Sequence, residues 1–207
     1  MVSPRWVEWR RTVDLGRYDA RWQAMADRGE PVHGEADFVD WLVGAHLGGR
    51  ASVRVLDAGC GTGRLAIELV NRGHSAMGVD LDPDMIERAV HKAPHIGWKV
   101  ADLANLELGE LFDLAVMAGN IPLFCAPGAQ ADIVASIGAH LPVGGLLVCG
   151  WSQEVGDASY RAEHFEDDIA RAGFTLLARF STWDREPFDL SRDYAVIVAR
   201  RGVTDSQ

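Results

Sequence analysis

The apolar positions of this chain change rhythm near Gly48-Gly49. Upstream they recur at helical spacing among charges. One stretch, about Trp6 to Arg28, carries Trp6, Val7, Trp9, Val13, Tyr18, Trp22 and Met25. A second opens at Gly34-Glu35 and carries Phe38, Val39, Trp41, Leu42 and Leu47. Downstream, apolar runs alternate with amphipathic stretches. Val53 to Asp57 reads as a buried strand. Thr62 to Arg72 reads as a helix, with Leu65/Leu69 and Ala66/Val70 on one face and Gly73 as its stop. Ser75 to Val79 is the next strand. Asp82 as N-cap and Pro83 at the first helical position open a helix that runs to about Lys92, before Pro94. Ile96, Trp98 and Val100 alternate as a third strand, and Phe112 to Met117 form a fourth. Ile133, Ile137 and Leu141 mark a helix, Leu146 to Gly150 a strand, and Ser159 to Ala172 a helix ending at Gly173. Strands near Phe174–Phe180 and Tyr194–Ala199 close the pattern.

Strands alternating with helices predict βαβ units and a parallel sheet covered on both faces. No helical pattern separates the last two strands, so they are expected to pair antiparallel. The predicted architecture is a doubly wound α/β domain over residues 50–207, preceded by a helical extension over residues 1–49.

Composition narrows this picture. The chain has 207 residues, 48% hydrophobic and 24% charged, which suits one compact domain with a modest extension and excludes disorder as the main state. No run approaches about 18 uninterrupted apolar residues, so no membrane span is expected. The first residues carry no apolar core of a secretory signal. Cys60, Cys125 and Cys149 stand far apart without a Cys-x-x-Cys pair, which favours a reducing cytoplasm. The formal net charge is −10, and the cations form only isolated pairs such as Arg10-Arg11 and Arg200-Arg201. A nucleic-acid substrate is therefore not expected, because phosphate affinity is mostly cationic neutralisation.

The informative chemistry lies at Asp57-Ala58-Gly59-Cys60-Gly61-Thr62-Gly63, where the first strand meets its helix. Glycines there allow a tight turn and close approach of backbone to a ligand. A dinucleotide site would carry a third glycine where Arg64 stands, and the phosphate-binding Gly-Lys-Ser/Thr pattern is missing. Asp57 would repel a pyrophosphate and attract an ammonium or a sulfonium. The turn thus suits a cationic ligand carried on a nucleoside.

Val55 to Gly63 resembles motif I of the class I S-adenosylmethionine-dependent methyltransferases. The resemblance continues, in the family's order, through Gly78-Val79-Asp80-Leu81-Asp82-Pro83, Ala101-Asp102-Leu103, Phe112-Asp113-Leu114 and Leu141-Pro142-Val143-Gly144-Gly145. It implies a mostly parallel seven-stranded sheet with one antiparallel strand, S-adenosylmethionine as cofactor, and a methyl acceptor as partner. It also implies a set of cofactor contacts. Asp80 would accept the ribose hydroxyls. Leu81 and Met85 would pack on adenine, and Asp102, beside Leu103, would accept the adenine amino group. Asp57, Ala58, Gly59, Cys60 and Gly61 would hold the methionine part. Gly119 and Asn120 would border the reacting methyl group, and Asn120 is equally suited to a left-handed turn. Asn120-Ile121-Pro122-Leu123 departs from the Asn-Pro-Pro-Tyr pattern of enzymes that methylate nucleic-acid amino groups, in line with a small-molecule acceptor.

Four of the seven tryptophans, Trp6, Trp9, Trp22 and Trp41, precede the predicted sheet. In this family such a segment folds over the methionine end of the cofactor, where Tyr18 and Trp22 would meet the cationic methyl donor through their π faces. Plain packing of these helices on the sheet is the alternative. Sulfonium methyl transfer needs in-line placement and desolvation, and a base only if the acceptor must lose a proton. His33, His164 and Asp184 are candidates, but none is singled out. Cys60 and Cys125 lack a partner base, and no metal-ligand cluster is evident. An aminopropyl transferase and a non-catalytic S-adenosylmethionine-binding protein on the same fold remain alternatives.

Overall fold

The computed structural model describes residues 3–153 and 160–203. The first helical stretch is two helices, α1 (Pro4–Thr12) and α2 (Leu15–Asp27). Ser3 caps α1, its Oγ accepting from Trp6 N at 3.1 Å. Val13 turns extended and Asp14 restarts the helix, accepting from Arg17 N at 3.0 Å. The apolar period runs through this break and hid it; Asp14 carried the signal.

The remaining elements are α3 (Gly34–His46), β1 (Arg54–Ala58), α4 (Arg64–Asn71), β2 (Ser75–Asp80), α5 (Pro83–Lys92), β3 (Gly97–Val100), β4 (Leu114–Met117), α6 (Ile121–Phe124), α7 (Gln130–Ala139), β5 (Leu146–Ser152), α8 (Ala162–Arg171), β6 (Phe174–Phe180) and β7 (Tyr194–Arg201). Asp82 caps α5 as expected, accepting from Asp84 N at 2.8 Å. Gly73, at φ +93°, ends α4 in a left-handed turn. The start of α8 expected at Ser159 lies outside the described residues. The four-residue α6 was not anticipated.

The seven strands form one sheet in the order β3-β2-β1-β4-β5-β7-β6. β1 to β5 pair parallel, and β7 runs antiparallel between β5 and β6. Buried residues alternate between two cores. Leu56, Ala115, Leu147 and Ile197 face Ile137 and Phe165. Val55, Leu114, Val116 and Val148 face Phe38, Leu42 and Leu69. Both faces are thus covered, as a parallel sheet requires. Among the described residues, no helix is long and apolar enough to cross a membrane.

Candidate active site

At the carboxyl ends of the parallel strands, where the strand order reverses between β1 and β4, lies a cavity of about 830 Å³. Such a switch point is where open α/β sheets receive ligands. Its floor is the β1–α4 turn. Gly59, Gly61 and Gly63 adopt φ of +84°, +54° and +85°, a region closed to most side chains. Gly59 N and Cys60 N both donate to the Val79 carbonyl, at 2.7 and 3.0 Å, which ties the turn to β2. Asp80 completes the tie. Its Oδ2 accepts from Gly61 N at 2.8 Å and its Oδ1 from Asp82 N at 2.9 Å. Burial raises its pKa against these backbone donors.

Asp57 is 2% exposed, and its Oδ2 accepts from Ala66 N at 3.1 Å in the first turn of α4. Burial pushes its carboxyl up to about 7, with the field of Asp80 adding to the rise and Ala66 N and Arg64 opposing it. A buried carboxyl raised in this way is stabilised as an anion by an incoming cation. The donor and acceptor set of the floor therefore fits a cationic ligand.

The cavity also gathers Leu81, Met85, Asp102, Leu103, Gly119, Asn120 and Trp22. Leu81 is 37% exposed and Met85 buried. Asp102 caps the 3-10 turn Leu103–Asn105, accepting from Ala104 N at 3.1 Å. Asn120 sits left-handed at φ +69°, and its Oδ1 accepts from Ser152 N at 2.7 Å. The turn role and the cavity position of Asn120 thus coexist. Ala58 differs: it is fully buried in the sheet and does not line the cavity.

The roof comes from the first two helices and α6. Trp9 packs against Tyr18 and Phe124, with ring centres 6.2 and 5.5 Å apart, and Tyr18 meets Trp22 at 6.4 Å. Trp22 lies under the guanidinium groups of Arg64 and Arg21, at 4.2 and 4.7 Å. Polar attachments join α1 to α6 and hold the roof to the domain below. Ser3 N donates to the Phe124 carbonyl at 3.1 Å. Arg10 pairs with Asp82 and, at 2.6 Å, with Asp84. Asp19 Oδ1 accepts from Thr62 Oγ1 at 2.6 Å and from Lys92 Nζ at 3.0 Å. Trp41 is apart from this wall, packed against Phe38 and Phe180.

None of the three base candidates lines the cavity. His33 stands near Glu68, His164 accepts from Arg161 N, and Asp184 is exposed. Cys60 and Cys125 do line it, but burial pushes both thiols up, Cys125 to about 11, so neither is a thiolate nucleophile near neutrality. Sequence reasoning missed Glu35, Trp183 and Tyr194 on the wall. They lie outside the motifs, far apart in the chain, with no local signal joining them.

A family model described as a methyltransferase domain matches residues 55–145. A TehB-like S-adenosylmethionine-dependent methyltransferase from Corynebacterium glutamicum is 32% identical, with a TM-score of 0.79 over 90% of this chain and 97% of its own. An uncharacterised methyltransferase of Mycobacterium tuberculosis is 41% identical over 77% of this chain and 64% of its own length. A magnesium-protoporphyrin O-methyltransferase of Rhodobacter capsulatus is 37% identical over 36% of this chain. The chain spans 35% to 64% of the length of these curated relatives. The glycine turn, the carboxylates at the ends of β1 and β2, and the fold shared with a relative matched over nearly its whole length lead to one conclusion: the chain belongs to the class I S-adenosylmethionine-dependent methyltransferases.

Proposed function

We propose that this chain transfers the methyl group of S-adenosylmethionine to a small molecule bound beneath α1 and α2. The observation that carries this reading is a single roofed cavity. Its floor holds the cofactor motifs and its roof is an aromatic wall. A volume of about 830 Å³ falls in the range of about 300–1,000 Å³ usual for small-ligand sites. The chain's formal net charge of −10 disfavours a phosphate backbone, and one relative is named for a small-molecule acceptor. The three free thiols suit a reducing cytoplasm.

The cofactor supplies an electrophilic methyl carbon on a sulfonium. Asp80 takes the ribose hydroxyls, since a carboxylate has about four lone-pair sites and two here are filled by backbone N–H groups. Asp57, Gly59, Cys60 and Gly61 hold the cationic methionine part, with Ala58 behind them in the sheet. Leu81, Met85, Asp102 and Leu103 enclose adenine, and Gly119, Asn120 and Trp22 border the reacting end. Within the 1–49 extension, α1 and α2 act as the lid, with Trp6, Trp9, Tyr18 and Trp22 excluding water and Tyr18 and Trp22 meeting the cation through their rings.

The test is S-adenosylhomocysteine formation with a panel of small acceptors. Turnover of one of them is the expected result. Salt-sensitive association with RNA or DNA, with methylation confined to it, would overturn the small-molecule assignment.

A further inference from the structure

Two polar side chains on the cavity wall have no place in the cofactor motifs: Glu35, in the first turn of α3, and Tyr194, the first residue of β7. Both are held by a dedicated partner. Trp183 lies across Gly150 of β5, where any Cβ would come within 2.3 Å of the indole, and meets the Phe38 ring at 5.3 Å. From there its Nε1 donates to the Tyr194 hydroxyl at 3.0 Å. The phenol oxygen is thus used as an acceptor, and among the described residues no group takes its proton. Burial raises the pKa of this hydroxyl, which makes it a donor and not a base. Glu35 Oε1 accepts from Arg64 Nη2 at 2.5 Å, and the same guanidinium reaches the Val32 carbonyl and the face of Trp22. A Cβ at Gly34, the residue before Glu35, would lie 3.7 Å from Trp183 Cβ, so Trp183 links the segment that carries Glu35 to Tyr194, and all three line one cavity.

We propose that Tyr194 and Glu35 orient the methyl acceptor, and that their pairing of one donor with one acceptor selects a hydroxyl oxygen as the nucleophile. This rests on the cavity being the methyl-transfer site. A hydroxyl has a proton for Glu35, one lone pair for Tyr194 and a second lone pair for attack. A neutral amine has a single lone pair and cannot both accept from Tyr194 and attack. In the step, the hydroxyl oxygen forms the O–C bond and the C–S bond breaks. The bonding pair stays on sulfur as S-adenosylhomocysteine, and the hydroxyl proton passes to the Glu35 carboxylate.

Three ring-matched probes test this: phenol, aniline and anisole. Each is titrated by ligand-observed NMR into protein saturated with S-adenosylhomocysteine, and methyl transfer from labelled S-adenosylmethionine is followed in parallel. Phenol is expected to bind about tenfold tighter than the other two and to be the one methylated, the size of one hydrogen bond to a charged or well-placed group. Tyr194→Phe and Glu35→Gln should each reduce that preference to about threefold or less, with S-adenosylhomocysteine affinity unchanged. Trp183→Phe, which keeps both groups and frees the phenol, serves if either variant misfolds and should also lower the preference. Aniline bound or methylated as well as phenol would overturn the proposal, as would a preference that survives these changes in folded protein. Failure of S-adenosylhomocysteine to bind the wild type would instead overturn the reading of the cavity.

Discussion

The floor of the cavity is made of backbone, and its roof is made of side chains. On the floor, the β1–α4 turn hangs from the Val79 carbonyl and Asp80, in a register set by Asp57 opposite Gly78 and Ala58 opposite Val79. Moving it means disrupting the centre of the sheet. In the roof, α1 buries none of its residues and α2 only Leu15. A few polar attachments and ring edges hold it, and partly exposed ion pairs of that kind contribute about 0–1 kcal/mol each. As a lid, the roof is expected to open at a fraction of the global unfolding free energy while the floor stays in place. In the proposed reading, rigid binding and ligand access fall to different parts of the chain.

Removing the roof should have the largest effect. Deleting residues 1–28 removes no residue of either core, so circular dichroism and cooperative unfolding should persist. S-adenosylhomocysteine binding should weaken, and methyl transfer should fall about a hundredfold or more as placement and water exclusion are lost. Full turnover would exclude a lid, and outright unfolding would make these helices structural.

The floor is next. Asp80→Ala should cost about 1.5–3 kcal/mol of S-adenosylhomocysteine affinity, roughly 10- to 150-fold by calorimetry. Wild-type affinity in a folded variant would contradict the ribose assignment.

Asp57 gives a third handle. With its carboxyl at about 7 in the folded protein, a cationic ligand must displace a proton below that pH. S-adenosylmethionine affinity should rise about tenfold per pH unit below 7 and level off above it. Asp57→Asn should flatten the profile. The same shift acts on stability with a defined sign. The folded form keeps a proton that the unfolded chain has lost, so the stabilisation is complete below the ordinary carboxylate range. It disappears as pH rises through about 7.

Arg10→Ala tests the mildest step, since it frees one attachment of the roof to α5. Stability should change by no more than about 1 kcal/mol, while S-adenosylhomocysteine release measured by stopped flow should quicken by up to about fivefold. A slower release would argue against an opening roof.

The same division explains what could be read from the sequence. Floor positions are dictated locally: a left-handed turn needs glycine, Asp82-Pro83 starts a helix, and buried strands are continuous apolar runs. Those features placed β1 to β7 and brought most of the proposed cofactor residues to one cavity. The roof was legible only as an excess of aromatics. Its break at Val13-Asp14, the assignment of Trp41 to the core, and the meeting of Trp9 with Phe124 depend on contacts between segments far apart in the chain. Glu35, Trp183 and Tyr194 were invisible for the same reason. Asn120 was ambiguous because one residue serves both a turn and a wall.

The place of β7 between β5 and β6 has a consequence for the chain while it is being made. β6 finds its sheet partner only in β7, which is synthesised after it. At ordinary translation speeds of about 5–20 residues per second, β6 waits roughly one to four seconds for that partner, with the edge of β5 open as well. Unpaired edges are templates for other chains. Nascent copies on one messenger are thus most prone to join one another in this interval, and a stop codon before Tyr194 would make the interval permanent.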